Sequence, residues 1–427
     1  MSETNWYRRF EEQGIIGFEF LPSPDRFWPP TVLCDQPFTC TGVAGRTVLL
    51  TGPGAVWMYA HAAAMLQQAG AAEVKVKTPH AAGSSDDLQG STSMLILAGE
   101  HGQSGALLRV QLRVPPTLSQ AAVERLISPR MEELRRLRPT QVVLSGRASA
   151  HVYVEAARTA AVSGAQSILC WSARDGLTVV WDRDRSQIGT RVARPPWLAQ
   201  AMPRPLSSRI IGVIGDPNRG KSVFCSVLDC YQQTKGVEGW KLDCDGQSPT
   251  PGWYLSLLAT SPQEAREHRQ SYKVPWTPEM EQRIAEQLDL GRELFEVLIA
   301  DLPGGNHAVT PPQRIPPGRE RLFAEVDALV LLEDERGSSE GAWREELRIH
   351  GMESQLAAVL ISRDPDARHP SCMFWQQGNL WRGWIDGLHR SRRPEELAAA
   401  YRSYLDQLWP SLLSYRRHAS PVRAGEE

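Results

Sequence analysis

Long apolar runs are missing from this 427-residue chain, and so is an excess of charge of either sign. No run approaches the roughly 20 residues that a membrane-spanning helix needs, so no span is expected. The opening Met-Ser-Glu-Thr-Asn-Trp-Tyr-Arg-Arg lacks the apolar core of a signal peptide. Lys and Arg total 47 against 49 Asp and Glu, for a net charge of −2. That balance gives no global positive field, and long nucleic acid is not expected as a partner; a small anion needs only a local site. Cysteine is sparse: Cys34, Cys40, Cys170, Cys225, Cys230, Cys244 and Cys372 are scattered, odd in number and form no Cys-x-x-Cys pair. Neither a disulfide framework nor a zinc site is suggested, and a reducing cytoplasm is the expected setting. What remains is ordinary for a globular chain, 41% hydrophobic and 22% charged, long enough for two or three domains with their own cores.

The most specific pattern is Gly215-Asp216-Pro217-Asn218-Arg219-Gly220-Lys221-Ser222, which fits G-x-x-x-x-G-K-[ST] at each fixed position. Ile210 to Ile214 before it read as a buried strand, and Val223 to Leu228 after it as a helix start. In that setting backbone N–H groups wrap phosphates, the lysine reaches the β and γ oxygens and the serine holds Mg²⁺. The expected ATP-binding residues are therefore Gly215, Asn218, Arg219, Gly220, Lys221, Ser222 and Val223. Lys221 is expected to be exposed until phosphate compensates it.

Pro195, Pro196, Pro203 and Pro205 mark 195–207 as a stiff linker before this second half. Downstream, Trp240 to Gln247 reads as a strand end carrying Asp243 and Asp245. This Asp-x-Asp-x-Gln pattern resembles the switch region of partitioning and nitrogenase-iron-protein-like ATPases, in which an acid meets Mg²⁺ or orients the attacking water. A solvated loop with two charges is the plainer alternative. Phe295 to Gly305 is an apolar strand ending in Asp301 and followed by Pro-Gly-Gly, similar to a Walker B segment. Asp301 would then join Ser222 and Asp243 in the metal shell, with Lys221, Asp301 and Asp245 as the residues of ATP hydrolysis. In that reading the Gly304 N–H would sense the γ-phosphate. Further strands are expected at Ala328–Leu332 and Leu356–Ser362; Ser362-Arg363-Asp364 is no guanine motif, so ATP is the expected nucleotide. Pro394 to Leu413 reads as a packing helix, Trp375, Trp381 and Trp384 as core or interface residues, and Arg416-Arg417-His418 onward as a frayed end.

The first half repeats itself. Thr47 to Tyr59 aligns with Gln141 to Tyr153, and the same shift carries Val74–His80 onto Ile168–Arg174 without a gap. Each copy reads strand, Gly-containing turn, Ala-rich helix, strand, then a turn bearing His80 or Arg174. The turns at Gly52 and Gly146 each join a strand's carboxyl end to a helix N-terminus. They are either anion sites or the tight turns of a duplicated scaffold.

The Ser-Gly-Arg-x-x-x-[Trp/His]-x-Tyr pattern at Ser145–Tyr153, with its partner at Thr51–Tyr59, resembles the third family of Csx proteins. These are type III CRISPR accessory proteins with a divergent CRISPR-associated Rossmann (CARF) fold. Members are ring nucleases that bind and linearise cyclic tetra-adenylate, and some carry a C-terminal P-loop (AAA-like) ATPase domain. The resemblance implies a cyclic-oligoadenylate site formed by Gly52, Gly54, Trp57, Tyr59, His61, His80, Gly146, Arg147, His151, Tyr153 and Arg174. His61 is as readily a packed helix residue. The chain departs from the family at two places. Where members have Asp-Pro-Arg it has Thr78-Pro79-His80 and Ser172-Ala173-Arg174, so the turn aspartate is lost. Where they end a strand in Ser-His it has Glu100-His101 after Met94–Leu97 and Asp182-Arg183 after Val179–Trp181. Ring binding is expected to survive these changes, and ring opening to rest on His101.

The expectation is α/β throughout: CARF-like units at 1–106 and 107–194, a linker at 195–207 and a P-loop ATPase domain at 208–427. Function follows as a cytoplasmic homo-oligomer that binds cyclic tetra-adenylate and couples this to Mg²⁺-dependent ATP binding or hydrolysis. A small-molecule or nucleoside kinase, with Arg314, Arg319 and Arg321 as lid residues, and a non-enzymatic ATP-dependent assembly switch are the competing readings.

Overall fold

Alternating apolar positions in Ile15–Phe20 (β2) bury Ile16, Phe18 and Phe20 completely, while its antiparallel neighbour Tyr7–Glu12 (β1) is largely exposed, as an edge strand is. A computed structural model describes residues 5–23, 27–77, 92–100, 103–111, 120–246, 254, 258, 261–271 and 275–415. The chain divides into two compact units, Met1–Arg204 and Pro205–Glu427. Both are α/β, with mixed sheets whose strands are mostly parallel.

In the first unit β2 pairs in parallel with Thr47–Thr51 (β3), and β3 with Glu73–Lys77 (β4), in the order β1-β2-β3-β4. A short helix, Val32–Asp35 (α1), precedes β3, and Val56–Gln68 (α2) crosses from β3 to β4. A second sheet repeats this plan. Thr92–Glu100 (β5) and Gln103–Gln111 (β6) form an antiparallel pair. Gln120–Leu137 (α3) then leads to Gln141–Ser145 (β7), and Ala150–Val162 (α4) to Ser167–Ser172 (β8). Gly176–Asp182 (β9) closes the far edge antiparallel to β8. The repeat is thus an antiparallel pair plus a β-α-β unit, longer than the aligned stretch. Its division falls between Lys77 and Thr92, because residue 106 lies inside β6 and β5–β6 pairs onward to β7. Met94–Leu97 therefore belongs to the second copy's edge strand and does not end the first copy.

Each residue of α2 from Trp57 to Leu66 is buried, as a helix apolar on all faces must be. Helix α4 packs along it. Small residues make that approach possible: Ala60, Ala63 and Ala64 face a partner carrying Ala156, Ala157 and Ala160, all in one core. Arg158 Nε donates to Gln67 Oε1 at 2.9 Å and pins the pair. The Pro-rich segment read as a linker contains a further helix of this unit, Pro196–Ala201 (α5), with Pro196 at its first turn and Leu198 fully buried.

Among the described residues the second unit holds one seven-stranded sheet. Its strands are Arg209–Ile214 (β10), Gly239–Asp243 (β11), Val297–Asp301 (β12), Ala328–Glu333 (β13), Leu356–Ser362 (β14), Cys372–Gln377 (β15) and Leu380–Ile385 (β16). Their order is β11-β12-β10-β13-β14-β16-β15, parallel throughout except for β15 against β16. Central strands β10, β12 and β13 are near-continuous apolar runs, as strands covered on both faces require. Lys221–Thr234 (α6) buries Phe224, Val227 and Tyr231 in a core shared with Tyr401, Leu405 and Leu408. The carboxyl-terminal helical segment is two helices, Pro394–Ala400 and Arg402–Ser414, interrupted at Tyr401, whose Oη donates to the Asp386 carbonyl. Among the described residues, no helix is long and apolar enough to cross a membrane.

Candidate functional site

Strand β10 delivers the loop 215–222 to the carboxyl edge of the sheet, between the ends of β12 and β13. Gly215 adopts φ +143°, and a Cβ there would lie 2.3 Å from the Leu332 carbonyl oxygen, so only glycine lets the loop leave the sheet. Lys221 opens α6 and turns its side chain back across the loop, donating to the carbonyls of Gly215 at 2.8 Å and Asp216 at 3.1 Å. The lysine is half-buried, not exposed as expected, because these inward carbonyls use it as their donor. Burial holds its ammonium below the ordinary lysine value, against Asp301, Asp245, Cys225 and Asp216. Gly304, in the turn after β12, lies against the same ammonium: a Cβ there would sit 2.8 Å from Nζ.

Two acids share a row. Asp301 ends β12, and Asp243, at the end of β11, is its in-register neighbour. Asp301 is 3% exposed and its Oδ2 has no hydrogen-bond partner. Asp243 Oδ1 accepts from the Asp245 N–H at 3.1 Å, which shapes the following turn. Among the described residues no group of three or more His, Cys, Asp or Glu is placed to hold a metal. A buried carboxylate oxygen without a hydrogen-bond partner suits a cation that takes its other ligands from phosphates and water, as Mg²⁺ does. The residue that sequence reasoning missed is Lys241 on β11. Its Nζ lies 3.7 Å from Asp301 Oδ2, 3.4 Å from the Ser222 carbonyl oxygen and 3.3 Å from Ser226 Oγ. Burial opposes this ammonium, but Asp301, Cys225, Asp243 and Asp229 hold it above the ordinary value. A lone cation between Trp240 and Leu242 was the available signal.

The loop is clamped from outside. Asp216 accepts from Trp343 Nε1 at 2.9 Å and from Arg314 Nη2 at 3.2 Å, and Arg219 Nη2 donates to Asp334 Oδ2 at 2.8 Å. Arg314, read as a lid residue, is thus a buried tether, and Arg319 stacks on Trp276 at 4.3 Å. Trp381 is buried, Trp384 carries the Arg363 guanidinium at 3.6 Å, and Trp375 remains 45% exposed.

In the first unit the two glycine turns are built alike. Gly52 (φ +100°) and Gly146 (φ +108°) each press on the preceding strand, where a Cβ would come within 2.2 Å of the Phe20 and Val110 carbonyl oxygens respectively. Tyr59 Oη donates to the Gly52 carbonyl at 2.6 Å, and Tyr153 Oη to that of Gly146 at 2.8 Å. These tyrosines are buried and brace the turns from below, so they do not offer rings to a ligand at the surface. Trp57 and His61 are core residues as well. Trp57 Nε1 donates to Asp175 Oδ2 at 3.0 Å, and His61 Nδ1 lies 2.6 Å from the Val180 carbonyl oxygen. The turn after β8 therefore does hold a buried aspartate, Asp175, one position beyond Ser172-Ala173-Arg174. Gly54, Arg147 and His151 are half-buried near the helix starts, and Arg174 is exposed. Burial keeps His151 below its ordinary pKa against Glu124 and Glu155. His80 and His101 lie outside the described residues.

Taken together the fold is α/β with mixed, mostly parallel sheets, compatible with a Rossmann-like or P-loop arrangement. No protein-family model matches the chain, and no curated protein matches it in sequence.

Proposed function

We propose that the second unit is a Mg²⁺-dependent ATPase whose phosphate site is the loop 215–222. The observation that carries this reading is the arrangement around Lys221, whose ammonium is held by loop carbonyls beside Gly304. A phosphate entering there meets a preset cation and the N–H groups at the start of α6. Asp301 and Ser222 would hold the metal, with Asp243 in the same row, and the metal would supply charge neutralisation at the phosphates. In this reading Asp245 and Asp243 would accept a hydrogen bond from the attacking water. Each tethered side chain around the loop restricts its motion, which favours charge stabilisation by groups already in position.

The proposal extends to the first unit as a binder of cyclic tetra-adenylate, in a type III CRISPR accessory protein similar to the third Csx family. Two matching glycine turns at helix starts support it, since paired sites suit a ligand with rotational symmetry. Arg147, Arg174 and His151 are the side chains offered to phosphate, with Gly52, Gly54 and Gly146 supplying close backbone. ADP release measured with and without cyclic tetra-adenylate tests the coupling, and a scan of phosphate acceptors tests the kinase alternative. Phosphate appearing on an added acceptor would replace the ATPase reading. Unchanged ADP release with the ring present, together with no ring binding by calorimetry, would remove the sensor reading.

A further inference from the structure

Lys241 stands opposite Ile299 in the β11–β12 register, two residues short of the Asp243–Asp301 row. Its side chain runs forward along the strand and ends 3.7 Å from Asp301 Oδ2, beneath the first turn of α6. Only 8% of that side chain and 4% of the Asp301 side chain are exposed. Ser222 and Ser226, one helical turn apart, present a carbonyl and a hydroxyl to the same ammonium. The lysine thus touches both residues proposed to hold the metal, Asp301 through a carboxylate oxygen and Ser222 through its carbonyl.

We infer that Lys241 is a resident counter-cation for Asp301, a positioning residue that competes with the divalent ion for this carboxylate and sets how tightly the ion binds. A buried carboxylate without an opposing charge is costly, so Lys241 makes Asp301 tolerable before any metal arrives. Once the ion arrives, two like charges share one acid and repel, and phosphate oxygens must supply the difference. Divalent-ion binding is thereby made dependent on bound phosphate. This rests on the proposed metal role of Asp301 and Ser222, but its first test needs no nucleotide.

The experiment compares the full chain with Lys241→Met, and with Lys241→Gln, which removes the charge while keeping a donor for the serine oxygens. Thermal unfolding is followed with and without Mg²⁺, and Mn²⁺ binding is titrated by electron paramagnetic resonance. Without metal both variants should unfold earlier than the parent chain. Mg²⁺ alone should restore about 2–4 °C or more to them while hardly moving the parent. Mn²⁺ should bind the variants at least about tenfold more tightly, the direction that relief of like-charge repulsion requires. Adding Asp301→Asn should abolish both gains, tying them to this carboxylate. Equal or weaker Mn²⁺ binding in both variants would overturn the inference and leave Lys241 a purely structural partner of Asp301. Failure of ATP to bind the parent chain at any Mg²⁺ level would instead sink the nucleotide reading, with the metal-only comparison still deciding the role of Lys241.

Discussion

Lys221 donates to the backbone carbonyl of Gly215 at 2.8 Å, so the residue that opens α6 also closes the loop in front of it. Replacing it with alanine removes a cation from the proposed phosphate site and leaves the buried faces of β10 and α6 untouched. Lys221→Ala is therefore expected to abolish measurable ADP release, a loss of at least about 10²-fold. The unfolding midpoint should shift little. Parent-level turnover in the purified variant would remove this loop as the active site.

Asp301 should be the most damaging of the three acids to neutralise. It is buried at the end of a fully buried strand, whereas Asp243 is half-buried at the end of β11 and Asp245 half-buried just beyond it. Asp301→Asn should lower Mg²⁺-dependent ADP release by roughly 10²–10³-fold, the range for loss of one fixed charge-stabilising group. Smaller effects are expected from Asp243→Asn and Asp245→Asn. The reverse ranking in steady-state assays would show that the metal acid had been misplaced.

In the first unit, Arg147→Ala should weaken cyclic tetra-adenylate binding by roughly 1–3 kcal/mol, the range for a charge-assisted hydrogen bond to phosphate. One ring per chain, or per closed pair of chains, is the expected stoichiometry. Ring opening, where it occurs, should be slow and lost in His101→Ala. Calorimetry followed by chromatography of the products reads both quantities, and no heat at high micromolar ligand counts against the site.

His61 sets an acid limit on the first unit. Burial lowers its pKa to about 4, against a hydrogen bond to the Val180 carbonyl. Below an unfolded value near 6.5 the unfolded chain takes up a proton that the folded chain refuses, so stability falls as pH drops from about 6.5 toward 4. The full loss from this one group is on the order of 3 kcal/mol. Urea unfolding at pH 7 and pH 5 should show the decline, and His61→Leu should flatten it. An equally steep decline in that variant would assign the slope to other groups.

Much of the second unit was legible because its signals are local. The loop after β10 needs glycine where its backbone turns, at Gly215 and Gly220, and β10, β12, β13 and β14 are strands apolar enough to be seen without a partner. The repeat in the first unit was legible for the same reason, since Gly52 with Tyr59 and Gly146 with Tyr153 recur at one spacing. Its limits were not. Placing β5 in the second sheet depends on which strand its edge meets, and that pairing is set by contacts distant in sequence.

Side-chain direction was the other thing hidden. Trp57, Tyr59, His61 and Tyr153 suit a ligand by type, yet packing between α2 and α4 turns them inward, where their polar atoms meet Asp175, Gly52, Val180 and Gly146. Lys241 and Arg314 suit a solvated surface by type, yet strand pairing carries Lys241 beneath the first turn of α6 and the segment after β12 brings Arg314 onto Asp216. By itself the sequence determined the G-x-x-x-x-G-K-S pattern with its flanking strand and helix, and the single offset at which the first half resembles itself, because each follows from neighbours within a few residues or from one repeated spacing. Only the tertiary structure decided which charges stand against Asp301 and Asp216, because strands β11 and β12 and the segment bearing Arg314 reach the loop from positions far along the chain.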